Sequence, residues 1–154
     1  MSDLGVKKRP QGIFDAETEM KDAGAITASA AALVDASAQV LDLGTGHFKG
    51  MVTLDVTALE IASNDEIYDI VAQGTNVAAF ATDTDIWDLA SLTLAASQVK
   101  RTDANGDSTT GRYKLYIDNE LDGTYMRYIR LYTIVAGTID TTGINYSAFL
   151  SPIN

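Results

Sequence analysis

Apolar and polar side chains alternate along much of this chain, most regularly between Gly123 and Ala136. Tyr125, Arg127, Ile129, Leu131, Thr133 and Val135 fall on one side of an extended segment there. Met126, Tyr128, Arg130, Tyr132, Ile134 and Ala136 fall on the other. Successive side chains of an extended backbone point to opposite faces, so a period of two among β-branched and aromatic residues predicts a long strand. Glycines at 123 and 137 bound it. Both rows carry large side chains, so the second face is expected to meet another sheet or another chain.

The same pattern predicts strands elsewhere. In Met51–Leu59, Val52, Leu54, Val56 and Ala58 point inward, and Met51, Thr53, Asp55, Thr57 and Leu59 outward. Val40 to Leu43 is a short extended piece ending at Gly44-Thr-Gly46. After a turn at Ser63–Glu66, a strand over Glu66–Ala72 is broken by Gly74-Thr-Asn76, with a further short strand at Val77–Ala81. Ile86, Trp87, Leu89, Leu92 and Leu94 hold no single phase, which predicts a bulge or change of face near Ala90. A polar loop over 102–111 leads to Arg112–Ile117, with Tyr113, Leu115 and Ile117 on one face. Asp118–Gly123 turns into the 123–136 strand. Ile144, Tyr146, Ala148 and Leu150 share one phase of a closing C-terminal strand.

Two segments are ambiguous. Ala25–Ala38 is alanine and serine with few bulky anchors; it reads either as a helix with Ile26, Ala30 and Leu33 on one face, or as an extended piece along a sheet. Residues 1–24 read as an N-terminal arm, expected to be partly mobile, with the basic patch Lys7-Lys8-Arg9-Pro10 and then Asp15, Glu17 and Glu19. Ile13 and Phe14, its only neighbouring large apolar residues, are the expected arm anchor. Asp15 suits the N-cap of a short helix over Ala16–Ala23. The remainder, 25–154, is expected to be one domain.

About eight strands separated by Gly, Asn and Asp turns, with no βα alternation and no 20–50-residue repeat, predict an all-β fold. The expected architecture is an antiparallel jelly-roll-like β-sandwich with an extended N-terminal arm; an immunoglobulin-like sandwich is the alternative.

Composition narrows the chemistry. The 154 residues suffice for one domain with a core, although 21 of the 46% apolar residues are alanine. Absence of cysteine excludes disulfides, thiol catalysis and thiolate metal sites. A net charge of −10 and a pI near 4.3 disfavour phosphate backbones, so no direct nucleic-acid contact is expected. The acid is unevenly placed: between Gly50 and Val99 eight acidic residues meet no lysine or arginine. No apolar run is long enough to cross a bilayer, and the polar start does not resemble a secretory leader, so synthesis in a cytoplasm without membrane attachment is expected.

Each candidate for chemistry has a plainer alternative. Asp103-Ala-Asn105-Gly-Asp107 imitates the start of a calcium loop, but Ser108 and Lys114 stand where glycine and glutamate are needed. His47 is the only histidine; Asp42 is a carboxylate nearby in sequence, but no nucleophile elbow accompanies them. Asp83 with Asp85, or Asp55 with Asp69, could pair as in glycoside hydrolysis, yet a run this acidic produces such pairs by chance. No phosphate-binding glycine loop occurs. No catalytic, cofactor-binding or metal residue is therefore expected, and the protein is not expected to be an enzyme. Trp87 and seven tyrosines could stack sugars or centre a protein interface. The arginines among them favour protein contact, through Tyr125, Arg127, Tyr128, Arg130 and Tyr132.

The order of segments carries a resemblance. A small-residue N-terminal stretch leads to Val40-Leu-Asp-Leu-Gly-Thr-Gly46, then Met51-Val-Thr-Leu-Asp-Val56, Tyr125-Met-Arg-Tyr-Ile-Arg-Leu131 and Gly143-Ile-Asn-Tyr-Ser-Ala-Phe-Leu150. Over roughly residues 38–152 this resembles the capsid cement, or decoration, proteins of tailed bacteriophages, of the jelly-roll type described for the Bordetella podovirus. The resemblance implies a virion protein without chemistry or cofactor, on the outer surface of an icosahedral head. Its implied partners are the major capsid protein and itself, as a dimer or trimer. The arm at 1–24 is longer and more charged than the family pattern. A carbohydrate- or receptor-binding module of a phage fibre or tail, using Trp87 and the tyrosines, is the alternative function.

Overall fold

The alternation in the sequence is realised as two antiparallel sheets around one apolar interior. The computed structural model describes residues 15–100 and 106–153. Ile13, Phe14, the basic patch 7–10 and the loop positions 101–105 lie outside the described residues.

In chain order the strands are β1 (Glu19–Lys21), β2 (Ala25–Ile26), β3 (Ala30–Ala31), β4 (Leu33–Val34), β5 (Ser37–Ala38), β6 (Leu41–Asp42), β7 (Lys49–Leu59) and β8 (Ile67–Thr75). They continue with β9 (Trp87–Ala95), β10 (Gly111–Asp118), β11 (Glu120–Leu121), β12 (Thr124–Tyr125), β13 (Tyr128–Ala136) and β14 (Ile144–Pro152). The first sheet has the order β1-β14-β7-β10, with β2 also on β14. The second has the order β3-β13-β8-β9, with β6 also on β13. β1 and β2 thus act as one interrupted strand along β14, and β3 and β6 as another along β13. Eight strand positions result, arranged first-eighth-third-sixth and second-seventh-fourth-fifth.

The inward rows meet in a single core. Val52, Leu54, Leu115, Ile117, Tyr146 and Leu150 of the first sheet share it with Tyr68, Ile70, Leu94, Ile129 and Leu131 of the second. The apolar area withdrawn from water here is the main stabilising term. A polar contact crosses this interior: the Tyr146 hydroxyl lies 2.7 Å from Thr133 Oγ1, both buried. It joins β14 to β13 and gives each of these two hydroxyls a partner.

Several local expectations change. Of the two readings of 25–38, the extended piece along a sheet holds and the helix does not. Unpaired edges of β13 and β14 give this segment backbone partners, and tertiary pairing overrides alanine's helix preference. Ala32 is buried, its amide donating to Leu131 O at 2.9 Å. Between β3 and β6 the chain makes a small β4–β5 hairpin, turning at Asp35 and Ala36 with φ of 50° and 61°. Two left-handed residues in a two-residue loop match the twist of a hairpin. The helix considered for Ala16–Ala23 is a single 3-10 turn, Ala16–Thr18, whose Asp15 cap accepts from Glu17 N. Residues 19–21, grouped with the arm on sequence grounds, are a strand of the first sheet.

Gly74 does not break its strand. β8 runs through to Thr75, with Gly74 paired to Ile129 and Trp87, and a Cβ at Gly74 would stand 2.7 Å from Leu89 Cδ1 and 2.9 Å from Met126 Cβ. Its glycine serves close packing rather than a turn. Val77–Ala81 is a turn, not a strand, with Phe80 at φ 46°. Met51 and Thr53, expected outward, are as buried as Val52 and Leu54. The irregularity near Ala90 is present: Ala72 pairs with Ala90 but Gln73 with Asp88, leaving Leu89 as the extra residue.

Candidate interaction surface

The longest correction falls on the 123–136 stretch. Asp122 and Gly123, at φ 49° and 76°, close a two-residue hairpin between β11 and β12, and β13 begins only at Tyr128. Met126 and Ile129 are both buried although three residues apart, so the phase shifts between them. From Ile129 onward the alternation holds. Ile129, Leu131 and Thr133 face the core, while Tyr128, Arg130, Tyr132 and Ile134 form the outward row of the second sheet.

That outward row is held by its neighbours. Arg130 Nε donates to Gln73 Oε1 at 2.9 Å, and its guanidinium lies 4.3 Å from the Phe80 ring centroid and 5.3 Å from that of Tyr132. Burial pulls the Arg130 pKa downward. Arg127 stands at the end of the row and over the Tyr128 ring at 5.1 Å. Its guanidinium grips Asp42 with two bonds, Nε to Oδ1 at 2.8 Å and Nη2 to Oδ2 at 2.7 Å. Those bonds, with a further one from Gly44 N, hold Asp42 down at about 2. Arg127 is therefore bound within its own chain, tying the start of β13 to β6. Four of the five expected contact residues, Arg127, Tyr128, Arg130 and Tyr132, lie together.

Tyr125 is set apart. It sits in the β11–β12 hairpin, 43% exposed, with its ring stacked on His47 at 5.1 Å between centroids and 11° between planes. His47 Nε2 lies 2.7 Å from Asp118 Oδ1, and Lys49 Nζ lies 3.5 Å from the other oxygen of that carboxylate. The carboxylate beside His47 is thus Asp118 rather than Asp42. Asp118 is held below the usual carboxylate range, first by the bond from Glu120 N and then by His47 and Lys49. The arrangement fastens the hairpin.

Asn119, which the sequence does not single out, is the fully buried centre of this end of the sandwich. Its amide donates to Gly46 O at 3.0 Å and Met126 O at 2.9 Å, and its oxygen accepts from Phe48 N at 2.7 Å. One side chain therefore joins the His47 loop, the hairpin and the approach to β13. A lone asparagine in a polar turn gives no signal of this from sequence.

Beside the hairpin lies a groove of about 630 Å³. Trp87, 50% exposed, Val77, 45% exposed, and Met126 supply its apolar wall; Asp85, Asp88 and Asp122 supply carboxylates. Gln73 Nε2 approaches Asp88 Oδ1 at 3.3 Å.

Among the described residues, no group of three or more His, Asp or Glu is placed to hold a metal ion, and no helix is long and apolar enough to cross a membrane. Comparison with protein-family models and with curated protein sequences finds no match.

Proposed function

We propose that this protein is a non-enzymatic structural component of a virion. In this reading it binds the outer surface of an icosahedral phage capsid as a homo-oligomer and bridges major capsid subunits to stabilise the head. The observation that carries the reading is the outward row of β13. Tyr128, Arg130, Tyr132 and the 41%-exposed Ile134 stand in line on one sheet face, with Arg130 already fixed by Gln73 and Phe80. Aromatic and arginine side chains with restricted rotamers lose little entropy on docking and dominate protein interfaces. The strand order first-eighth-third-sixth and second-seventh-fourth-fifth supports a jelly roll, the double-sheet arrangement implied by the resemblance to cement proteins. A net charge of −10 gives the protein no attraction to packaged DNA. High copy number on a lattice lets each contact be modest.

Co-sedimentation of the purified protein with cognate phage heads tests this. Saturable binding to expanded shells but not to compact precursor shells is the expected result. Ile134→Glu, at an exposed position of the row, lowers occupancy while leaving the unfolding midpoint near that of the parent. Absence of binding by the folded oligomer to any cognate shell overturns the proposal.

A further inference from the structure

We propose that the groove beside the β11–β12 hairpin receives the basic segment Lys7-Lys8-Arg9-Pro10 of a second copy of this chain, an inference that rests on the self-association in the reading above but not on the capsid. The groove offers an exposed indole, Trp87, together with Asp85, Asp88 and Asp122. Among the described residues, the ion pairs use Asp42, Asp55 and Asp118, and none reaches these three carboxylates. Among the described residues, no lysine or arginine lines the groove. It therefore suits a donor-rich cation with an apolar stem. Guanidinium and ammonium groups bind the face of an indole, and their methylenes cover its edge.

The complement is in the same sequence. Residues 7–9 are the only run of three consecutive bases, and residues 1–14 carry those three bases against one acid, Asp3.

Reach favours a neighbouring copy. Asp15 precedes β1, at one edge of the first sheet, whereas Trp87 begins β9, at the opposite edge of the second. Three strand spacings and one sheet spacing separate them by roughly 17 Å in a straight line. The six residues from Arg9 to Asp15 span at most about 20 Å. That leaves no length to pass round the hairpin that lines the groove. An arm supplied by another copy meets no such limit.

Trp87 is the sole tryptophan, so its fluorescence reports on the groove alone. Acrylamide quenching of the full-length chain is measured across a concentration series with no phage head present. Quenching is expected to weaken several-fold as concentration rises. The variant Lys7→Glu/Lys8→Glu/Arg9→Glu is expected to stay open throughout while keeping its circular dichroism. Adding a fluorescently silent partner, Trp87→Phe/Asp85→Asn/Asp88→Asn/Asp122→Asn with its arm intact, should restore shielding to that variant. Three results overturn the proposal. One is a Trp87 equally accessible at every concentration, which leaves the groove to another occupant such as a glycan. Another is shielding independent of concentration, which assigns the site to the chain's own arm. The third is failure of the silent partner to restore shielding. Capsid binding is unaffected by any of these outcomes, so the two proposals fail separately.

Discussion

Lys21 Nζ stands 2.9 Å from the carbonyl oxygen of Tyr146 and 4.6 Å from the centroid of that tyrosine's ring. It also donates to Asp22 O at 2.8 Å and Gly24 O at 3.0 Å, so all three ammonium protons meet carbonyls. The residue is only 4% exposed. Burial pulls its pKa down to about 8, with Asp22 opposing. Lys21 thus fastens the first strand to the C-terminal strand by bonding to backbone. Lys21→Met keeps the stem but leaves three carbonyls short of a donor. A loss of about 2 kcal/mol is expected in chemical denaturation, with the slope unchanged.

Asn119→Ala is expected to cost more than its size suggests. The alanine leaves Phe48 N, Gly46 O and Met126 O without the partners they have now, inside a closed site. Each unsatisfied group costs on the order of 1 kcal/mol or more. Thermal unfolding should fall by several degrees, and limited proteolysis should cut first around the β11–β12 hairpin. A variant that melts like the parent would show the hairpin to be held by other contacts.

The strands whose neighbours are close in phase were legible from sequence. β10 and β14 show the inward rows Tyr113-Leu115-Ile117 and Ile144-Tyr146-Ala148-Leu150 that alternation predicts. What alternation cannot show is a phase shift produced by a partner. The shift between Met126 and Ile129 comes from the hairpin and from Asn119, distant in effect though near in sequence. The edge strands β2 and β3 were illegible for the reverse reason. Their small residues carry little pattern of their own, and β13 and β14 impose their conformation. The Tyr and Arg positions of the candidate surface could be found by composition. That Arg127 is already bound to Asp42, 85 residues earlier, could not.

Arg127→Glu is therefore expected to act on folding before it acts on binding. It places a carboxylate against Asp42 and removes the cation over Tyr128. A lower unfolding midpoint is expected, partly recovered by the reversed pair Arg127→Glu/Asp42→Arg. Recovery in the double variant, read as a coupling in a mutant cycle, identifies the contact as the cause.

Stability should follow a dome in pH. Glu60 and Asp42 have folded values of about 2, below their ordinary 4.5 and 3.8. Their contribution is present above pH 4.5 and is lost as pH falls towards 2. Both face solvent, so salt screens the effect. Lys21 behaves oppositely to a paired lysine: its folded value of about 8 lies below 10.5, so the unfolded chain holds the proton more tightly and stability rises between those values. Tyr68 and Tyr146, pushed up to about 12 by burial, subtract stability as pH rises from 10 towards 12. Unfolding midpoints from pH 2 to 11 should fall on the acid side, creep upward beyond pH 8 and turn down past pH 10. In Lys21→Met the upward step should vanish; its persistence would assign it to another group.

The loop that delivers the chain to β14 depends on Glu60 and Gly143 together. Glu60 Oε2 accepts from Thr142 N at 2.6 Å and Gly143 N at 2.7 Å, and Oε1 accepts from Asp140 N at 2.6 Å. In return Glu60 N donates to Gly143 O at 2.9 Å. Gly143 itself has φ 58°, and a Cβ there would strike the carbonyl of Ile26. Gly143→Ala adds left-handed strain to a clash with backbone that cannot rotate away, and a loss of at least about 2 kcal/mol is expected. Glu60→Gln keeps the shape but removes the charge that four amides converge on, so its effect should be smaller at neutral pH and should disappear as pH approaches 2. Equal midpoints for Glu60→Gln and the parent near pH 2, diverging as pH rises to 4.5 and keeping a constant gap above it, would establish the carboxylate as the fastening. A Gly143→Ala chain as stable as the parent would mean that the loop can be rebuilt without it.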